Sequence, residues 1–368
     1  MIGESPSLVA WSLSEPRPAD LRSFLDVHAD AYECYGSGKV ALRDGLAPLS
    51  EPGENVLLPA YLPDAVAEPL AELGLEARYY AIEPDLSPDL ADLESRVDEG
   101  TVAVLTVDYF GFPTPDFEAV AALADERGCY HVDDNAHGAL SVHDGTLLGT
   151  RGHLGIASLR KLFPVPDGAV LYLGDDGVAD RYEPTALAGV ADGVDAGDCR
   201  FVLKSLAADL LDRNALVKES VESIAGRRGG AGDPGERYEA AKTRMSRLTA
   251  RVVADVDPSG VRAARRTNYR VWRRLLRDRS DVEPLYETLP EGICPQVFPV
   301  RAERPRRLLA ALERGGVEAH TWPRLPAVVR GGPAYGTARR LSREVVALPV
   351  HQHVEPSAIE EAGAALRR

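Results

Sequence analysis

Of the five lysines in the chain (Lys39, Lys161, Lys204, Lys218 and Lys242), one stands where an amine can react. Ser158-Leu159-Arg160-Lys161 follows a predicted strand and precedes the loop Pro164-Val165-Pro166-Asp167-Gly168. A lysine at the open end of a sheet sits where α/β proteins place their sites, and its amine can form a Schiff base with an aldehyde cofactor once its surroundings suppress the ammonium form. Ser158, three residues earlier, could turn its hydroxyl toward a phosphate in the same crevice. Taken alone, the same residues also describe a surface lysine beside a turn.

Val132-Asp133-Asp134-Asn135-Ala136-His137 ends another predicted strand, so acid and imidazole side chains would face the same crevice. A pyridine ring acts as an electron sink only while its nitrogen stays protonated, and a buried carboxylate achieves that. Asp134 is the residue chosen for it, with His137 touching the ring or its phenolic oxygen. Paired aspartates after a strand are equally compatible with a metal site or a helix cap. Gly36-Ser37-Gly38-Lys39 opens the helical run Val40 to Leu46, and helix N-termini bind anions through backbone N–H groups. It lacks the glycine spacing of a Walker loop.

These residues need elements to hold them. The chain is 368 residues long, with 45% hydrophobic and 27% charged residues, which predicts a globular protein of one large and one small domain. Asn55 to Pro59, Glu76 to Ile82, Val102 to Val107, Cys129 to Val132 and Val170 to Leu173 read as strands. Leu62 to Leu73, Leu90 to Val97 and Phe117 to Glu126 read as helical runs between them. Such β-α-β alternation predicts a parallel sheet covered by helices. Pro18 to Leu46 reads as helix, broken at the glycines. Helical, Arg-rich stretches follow at 203–225 and 236–279 around a turn at Gly226 to Gly235. A strand at Gln296 to Val300, a helix at Pro305 to Arg314, strands near Val317 and at Val345 to Leu348, and a helix from Pro356 complete the chain. The expected division is a large α/β domain over 1–245 and a smaller α+β domain over 246–368.

The formal net charge of -15 argues against nucleic acid as a partner. No apolar run reaches the roughly 20 residues of a membrane span, and Met1 to Ala10 lacks a signal-peptide pattern. A cytoplasmic protein is expected. Cys34, Cys129, Cys199 and Cys294 are widely spaced and form no zinc pattern, so no metal is expected.

In combination and in this order, these segments resemble the DegT/DnrJ/StrS family of pyridoxal-phosphate (PLP) aminotransferases, most of which act on nucleotide-linked keto sugars. Ser37 to Leu42 is similar to the family's Ser-Gly-Thr-x-Ala-Leu turn, and Gly53 to Tyr61 to its Gly-Asp-x-Val-Ile-x-Pro-x-Tyr. Val107 to Gly111 stands in place of Val-His-x-Tyr-Gly, and Val132 to His137 resembles Ile-Glu-Asp-Ala-Ala-His. Arg266 to Tyr269 matches Arg-x-Asn-Tyr, and Leu348 to His351 looks like Leu-Pro-x-His.

The resemblance implies fold type I, with a mainly parallel seven-stranded sheet sandwiched by helices and a smaller C-terminal α+β domain. It implies PLP held by Lys161 as a Schiff base, with Lys161 also moving the proton between substrate and cofactor. Asp134 would pair with the pyridine nitrogen and His137 would contact the ring. Gly38, Lys39 (through its backbone N–H) and Ser158 would hold the phosphate, with Tyr61 and Tyr109 beside the cofactor. A homodimer with shared active sites, an amino donor such as glutamate and a keto acceptor follow on the same ground.

The chain departs from the family pattern at several positions. Ile156 stands where the family usually has serine, five residues before the lysine, whereas Ser158 is similar to the spacing in aspartate-aminotransferase-like enzymes. Pro166-Asp167-Gly168-Ala169 replaces Gly-Glu-Gly-Gly, and Lys39 replaces threonine. Pro63 stands just after Tyr61-Leu62, where an aromatic often stacks on the cofactor. These departures bear on the sugar substrate more than on the cofactor. They also support a second expectation, a binding or regulatory protein on a decayed aminotransferase fold. Lysine at 161 argues against the family's dehydratases, in which histidine replaces it. Two further readings concern pocket walls and histidines: Trp322 beside Pro323 as a pocket wall, and His351 and His353 as exposed loop residues.

Overall fold

The computed structural model describes residues 2–3, 20–194, 196–212 and 234–366. The readings made for Met1 to Ala10, for Pro18, for 213–225 and for most of the turn at Gly226 to Gly235 lie outside the described residues.

The larger sheet has seven strands: β1 (Tyr32–Tyr35), β2 (Asn55–Pro59), β3 (Glu76–Tyr80), β4 (Thr101–Val107), β5 (Tyr130–Asn135), β8 (Leu154–Ser158) and β9 (Ala169–Leu173). Its order is β1-β9-β8-β5-β4-β2-β3. A small hairpin, β6 (Val142–His143) and β7 (Thr146–Leu147), lies between β5 and β8. Strands β3, β2, β4, β5 and β8 run parallel, while β9 runs against both of its neighbours. All residues of β2 and β4 are buried, as expected of strands whose helical crossovers cover both faces. This is the mainly parallel seven-stranded sheet that the sequence led us to expect.

Strand β1 was not legible in the sequence. The run from Pro18 to Leu46, read as broken helix, is a helix at Leu21–His28, the strand Tyr32–Tyr35, and a helix at Gly38–Leu46. Pairing with β9 decides the matter, from Tyr32 opposite Tyr172 to Tyr35 opposite Ala169. A partner strand thus overrides local helical signals. The run Leu62 to Leu73 is likewise not one helix. It is a 3-10 turn at Asp64–Val66 and a short helix at Glu68–Glu72, the latter with Pro69 in its first turn.

The second sheet is antiparallel throughout, in the order β10 (Val282–Pro284), β11 (Val297–Ala302), β13 (Val345–Pro349), β12 (His320–Thr321). Val317 itself forms only an isolated bridge with Ile2, and the strand follows it. The helix Pro258–Leu276 packs against this sheet and the C-terminal helix Pro356–Leu366. Its fully buried Trp272 donates from Nε1 to the Pro349 carbonyl at 2.9 Å. Among the described residues no helix is long and apolar enough to cross a membrane.

The topology gathers chain ends at one edge. Parallel strands β2, β4, β5 and β8 all finish there. Strand β1 runs with β8, because both oppose β9, so the turn after Tyr35 reaches the same edge. In open α/β sheets that carboxyl edge is where ligands bind.

Candidate active site

Lys161 closes the 3-10 turn Leu159–Lys161 that follows β8 directly. The turn is pinned at its base, where Leu159 N–H donates to the Gly168 carbonyl at 2.9 Å and Gly168 N–H donates to Gly36 at 2.8 Å. Gly168 has φ 107°, a conformation few side chains tolerate. Its far side is held from the second sheet's unit. Arg265 Nη2 and Gln352 Nε2 both donate to the Leu162 carbonyl, at 2.9 and 3.0 Å, and Arg265 Nε donates to Gln352 Oε1 at 3.0 Å. Arg265 is fully buried, and its Nη1 donates to the carbonyls of Pro295 and Gln296. Burial lowers its pKa to about 10.

Lys161 is half-buried, and the charge of its amine acts on both Asp134 and His137. Burial pushes its pKa down to about 8, against the opposing pull of Asp134. Asp134, near the end of β5, is buried, and burial raises its pKa to about 6 although Lys161 draws it down. One of its oxygens accepts from Ala136 N–H at 2.8 Å, and no protein donor among the described residues meets the other. Asp134 therefore does not cap a helix. Its neighbour Asp133 is not placed to ligate a metal, because Arg151 binds it.

His137 follows the same strand, buried, and stacks on Phe110 with centroids 5.8 Å apart. Phe110 N–H donates to His137 Nδ1 at 3.0 Å, which leaves the proton of the neutral ring on Nε2. Burial, and then the Lys161 charge, hold this imidazole well below its ordinary pKa. Phe110 takes left-handed backbone (φ 60°) to present that N–H, and non-glycine residues so placed concentrate at functional sites.

Tyr61 and Tyr109 come from the ends of β2 and β4 and are buried, with ring centroids 5.5 Å apart. The Tyr61 hydroxyl donates to the Trp322 carbonyl at 2.5 Å, whereas the buried Tyr109 hydroxyl has no partner among the described residues. Trp322 lies edge-on to His137, with ring centroids 5.2 Å apart. His351 departs from its reading: it is buried, with Nε2 bonded to the Gly3 carbonyl.

The Gly36 to Lys39 turn opens the helix Gly38–Leu46, and the Ser37 hydroxyl caps it by accepting from Lys39 N–H at 3.4 Å. A methyl group built on Gly38 would meet only Ile156 Cδ1, at 3.8 Å. Ile156 and Ser158 share one face of β8 by the two-residue period, so the turn and the Ser158 hydroxyl lie on the same side of the sheet. The Lys39 ammonium turns away to Glu68, with Tyr238 beneath it, and leaves only its backbone to the turn.

Behind Asp134 lies an ionic cluster that the sequence did not single out. Arg151 Nη2 donates to Asp108 Oδ1 at 2.6 Å and to Asp133 Oδ1 at 2.8 Å, and Nε reaches Asp133 Oδ2 at 2.9 Å. Both carboxylates are fully buried, and the guanidinium lies 3.9 Å over the Phe117 ring. Asp108 N–H also donates to the Asp134 carbonyl at 2.9 Å, tying the cluster to the strand that carries Asp134. Gly155 admits the loop that carries Arg151, since any Cβ there would lie 1.9 Å from the Gly149 carbonyl.

The two shifted groups predict a pH dependence. The Lys161 amine is reactive only when neutral, so the rate at which the protein captures an aldehyde should rise about tenfold per pH unit toward pH 8 and level off above it. Stopped-flow absorbance with a pyridine aldehyde measures this, and a profile still rising steeply at pH 10 would mean an ordinary lysine.

A model of the DegT/DnrJ/EryC1/StrS aminotransferase family matches residues 28–367. A pleiotropic regulatory protein of Geobacillus stearothermophilus is 29% identical over 154 residues, 40% of each chain. A UDP-2-acetamido-2-deoxy-3-oxo-D-glucuronate aminotransferase of Pseudomonas aeruginosa is 28% identical over 147 residues, 38% of this chain and 39% of that one. The chain thus covers under half the length of these curated relatives. Among solved structures, S. venezuelae DesV, determined with a ketimine intermediate, superposes with a TM-score of 0.67 at 20% identity, covering 98% of this chain and 91% of that one.

Proposed function

The chain belongs to the DegT/DnrJ/EryC1/StrS aminotransferase family, and from that premise we propose that it is a PLP-dependent aminotransferase with Lys161 as the covalent anchor. It takes an amino group from an amino acid, glutamate in the first instance, and passes it to a keto acceptor of the nucleotide-linked sugar class. The observation that carries this reading is Lys161 in the turn after β8, at the same sheet edge as the buried Asp134, one of whose oxygens meets no protein donor among the described residues. Burial lowers the pKa of the Lys161 amine in keeping with that place.

The residues present suit PLP. Its chemistry, when bound, is an aldehyde that joins amines and a ring that withdraws electrons from the carbon bearing them. The orphaned Tyr109 hydroxyl supports the fit, since leaving a buried hydroxyl unpaired costs about 1–3 kcal/mol and a polar ligand relieves it. On this proposal, the free oxygen of Asp134 pairs with the pyridine nitrogen and holds its proton. The Asp134 carboxyl ionises near pH 6, so it is an anion at neutral pH. His137 donates from Nε2 to the phenolic oxygen. Backbone N–H groups of Gly38 and Lys39, with the Ser158 hydroxyl, receive the phosphate. Tyr61 and Tyr109 wall the ring. Lys161 Nζ, neutral above about pH 8, anchors the aldehyde and then takes and returns the proton at the substrate carbon.

The same proposal takes 1–245 as the cofactor domain and 246–368 as the smaller one. It makes the protein a cytoplasmic homodimer with shared sites.

The test is a spectrum of the protein with PLP, followed by amino donors. Glutamate should bleach the near-visible band and release an equivalent of 2-oxo acid, and a keto sugar nucleotide should restore the band. A stable band that no amino donor alters would sink the aminotransferase reading and favour a binding protein, in line with the pleiotropic regulatory protein to which the chain is similar. Asp134→Asn should keep the band yet slow its discharge by glutamate about 10²–10⁴-fold, since the ring loses its proton-holding partner. Discharge at the wild-type rate would remove Asp134 from the mechanism.

A further inference from the structure

Five aromatic rings meet at the carboxyl edge, and four of them belong to the sheet that carries Lys161. Tyr61, Tyr109, Phe110 and His137 come from the ends of β2, β4 and β5. The fifth is Trp322, from the segment after β12 of the other sheet. Its ring lies edge-on to all four, at 5.2 Å from Tyr61, 6.1 Å from Tyr109, 5.5 Å from Phe110 and 5.2 Å from His137. Two bonds fix its backbone, one to each unit. Tyr61 Oη donates to its carbonyl, and its N–H donates to Val345 on β13 at 3.4 Å. Trp322 is half-buried, whereas the four rings around it are buried.

The position after Tyr61-Leu62 offers no ring. Pro63 stands there and leads into the 3-10 turn Asp64–Val66. An electron-poor pyridine ring among Asp134, His137 and Tyr109 needs an apolar wall, and aromatic faces and edges supply the most contact at the least entropic cost.

We propose that Trp322 is the aromatic wall against which the cofactor ring packs, supplied from the C-terminal sheet in place of a residue after Tyr61. The proposal rests on the PLP reading above. It makes cofactor affinity depend on how the C-terminal sheet sits, because the wall and the Lys161 anchor belong to different sheets.

The chain has three tryptophans, so the experiment can read this one by difference. Trp322→Phe and Trp322→Ala are prepared beside the wild type, and PLP affinity is taken from the near-visible band in equilibrium titrations. Trp322→Ala should bind PLP about tenfold more weakly or worse, with Trp322→Phe within about threefold of wild type. In parallel, the fluorescence of wild type minus Trp322→Phe isolates the indole, and PLP should quench most of it by contact and energy transfer. This second readout stands even if the alanine variant fails to fold. An unquenched difference signal, or unchanged affinity in a folded alanine variant, overturns the proposal while leaving the cofactor reading intact. Absence of any band in the wild type would instead overturn the cofactor reading itself.

Discussion

Changing Lys161 to alanine is expected to abolish the borohydride-sensitive absorbance of the protein with PLP and to lower transamination more than about 10⁴-fold, with the fold retained. The expectation is strict because no other described lysine can deputise. Lys39 is paired with Glu68, Lys242 with Glu72 and Glu239, and Lys204 is exposed on the helix Ala196–Asp212. Among the described lysines, Lys161 is the one whose charge acts on Asp134 and His137. The change deletes a half-buried side chain from a turn whose backbone is held independently by Gly168, Arg265 and Gln352, so circular dichroism and the thermal midpoint should move little. A folded variant that kept the band would place the anchoring amine elsewhere and end the present assignment.

The second large effect concerns stability. Arg151→Met should cost about 3–5 kcal/mol, because it strands two fully buried carboxylates without their shared cation. Burial and then the Asp133 charge push the Asp108 carboxyl well above its ordinary range. Burial also acts upward on Asp133, but the Arg151 charge and hydrogen bonds prevail and carry it below. Without the arginine both carboxyls would titrate higher folded than unfolded, a penalty that is present at neutral pH and fades as acid protonates them. Denaturant midpoints should therefore differ most at neutral pH and above, and converge only as the pH falls below the ordinary carboxyl range, through the lowered pKa of Asp133 in the wild type. Adding Asp108→Asn to Arg151→Met should recover part of the loss, since one buried charge then goes. Equal midpoints for wild type and Arg151→Met would mean that the cluster contributes nothing.

Much of this was legible in the chain because its signals are local. The apolar run at Val102 to Val107 has no polar face, so only a doubly covered strand suits it, and β4 is one. The acid near the end of β5, the imidazole just after it and the lysine after β8 stood at strand ends, and one topology sends those ends to one edge. What escaped depends on distant partners. Strand β1 exists through its pairing with β9, more than a hundred residues later. Arg265 lies in the stretch 236–279, which reads in the sequence only as helical and Arg-rich. Type and spacing predict exposure for such a residue, and only the carbonyls of Leu162, Pro295 and Gln296 explain its burial. Phe110 lay within the Val107 to Gly111 segment, but nothing in that segment pointed to its role, which lies in its backbone N–H.

The grip of Arg265 and Gln352 on the Leu162 carbonyl has a consequence for recombination between relatives. Crossing two such chains near residue 245 would join a lysine loop from one parent to a clamp from the other. The hybrid would hold its amine in a register that neither parent selected. Exchanges that carry the segment 158–168 together with Arg265 and Gln352 should keep the site working, and exchanges that split them should yield well-folded, silent proteins.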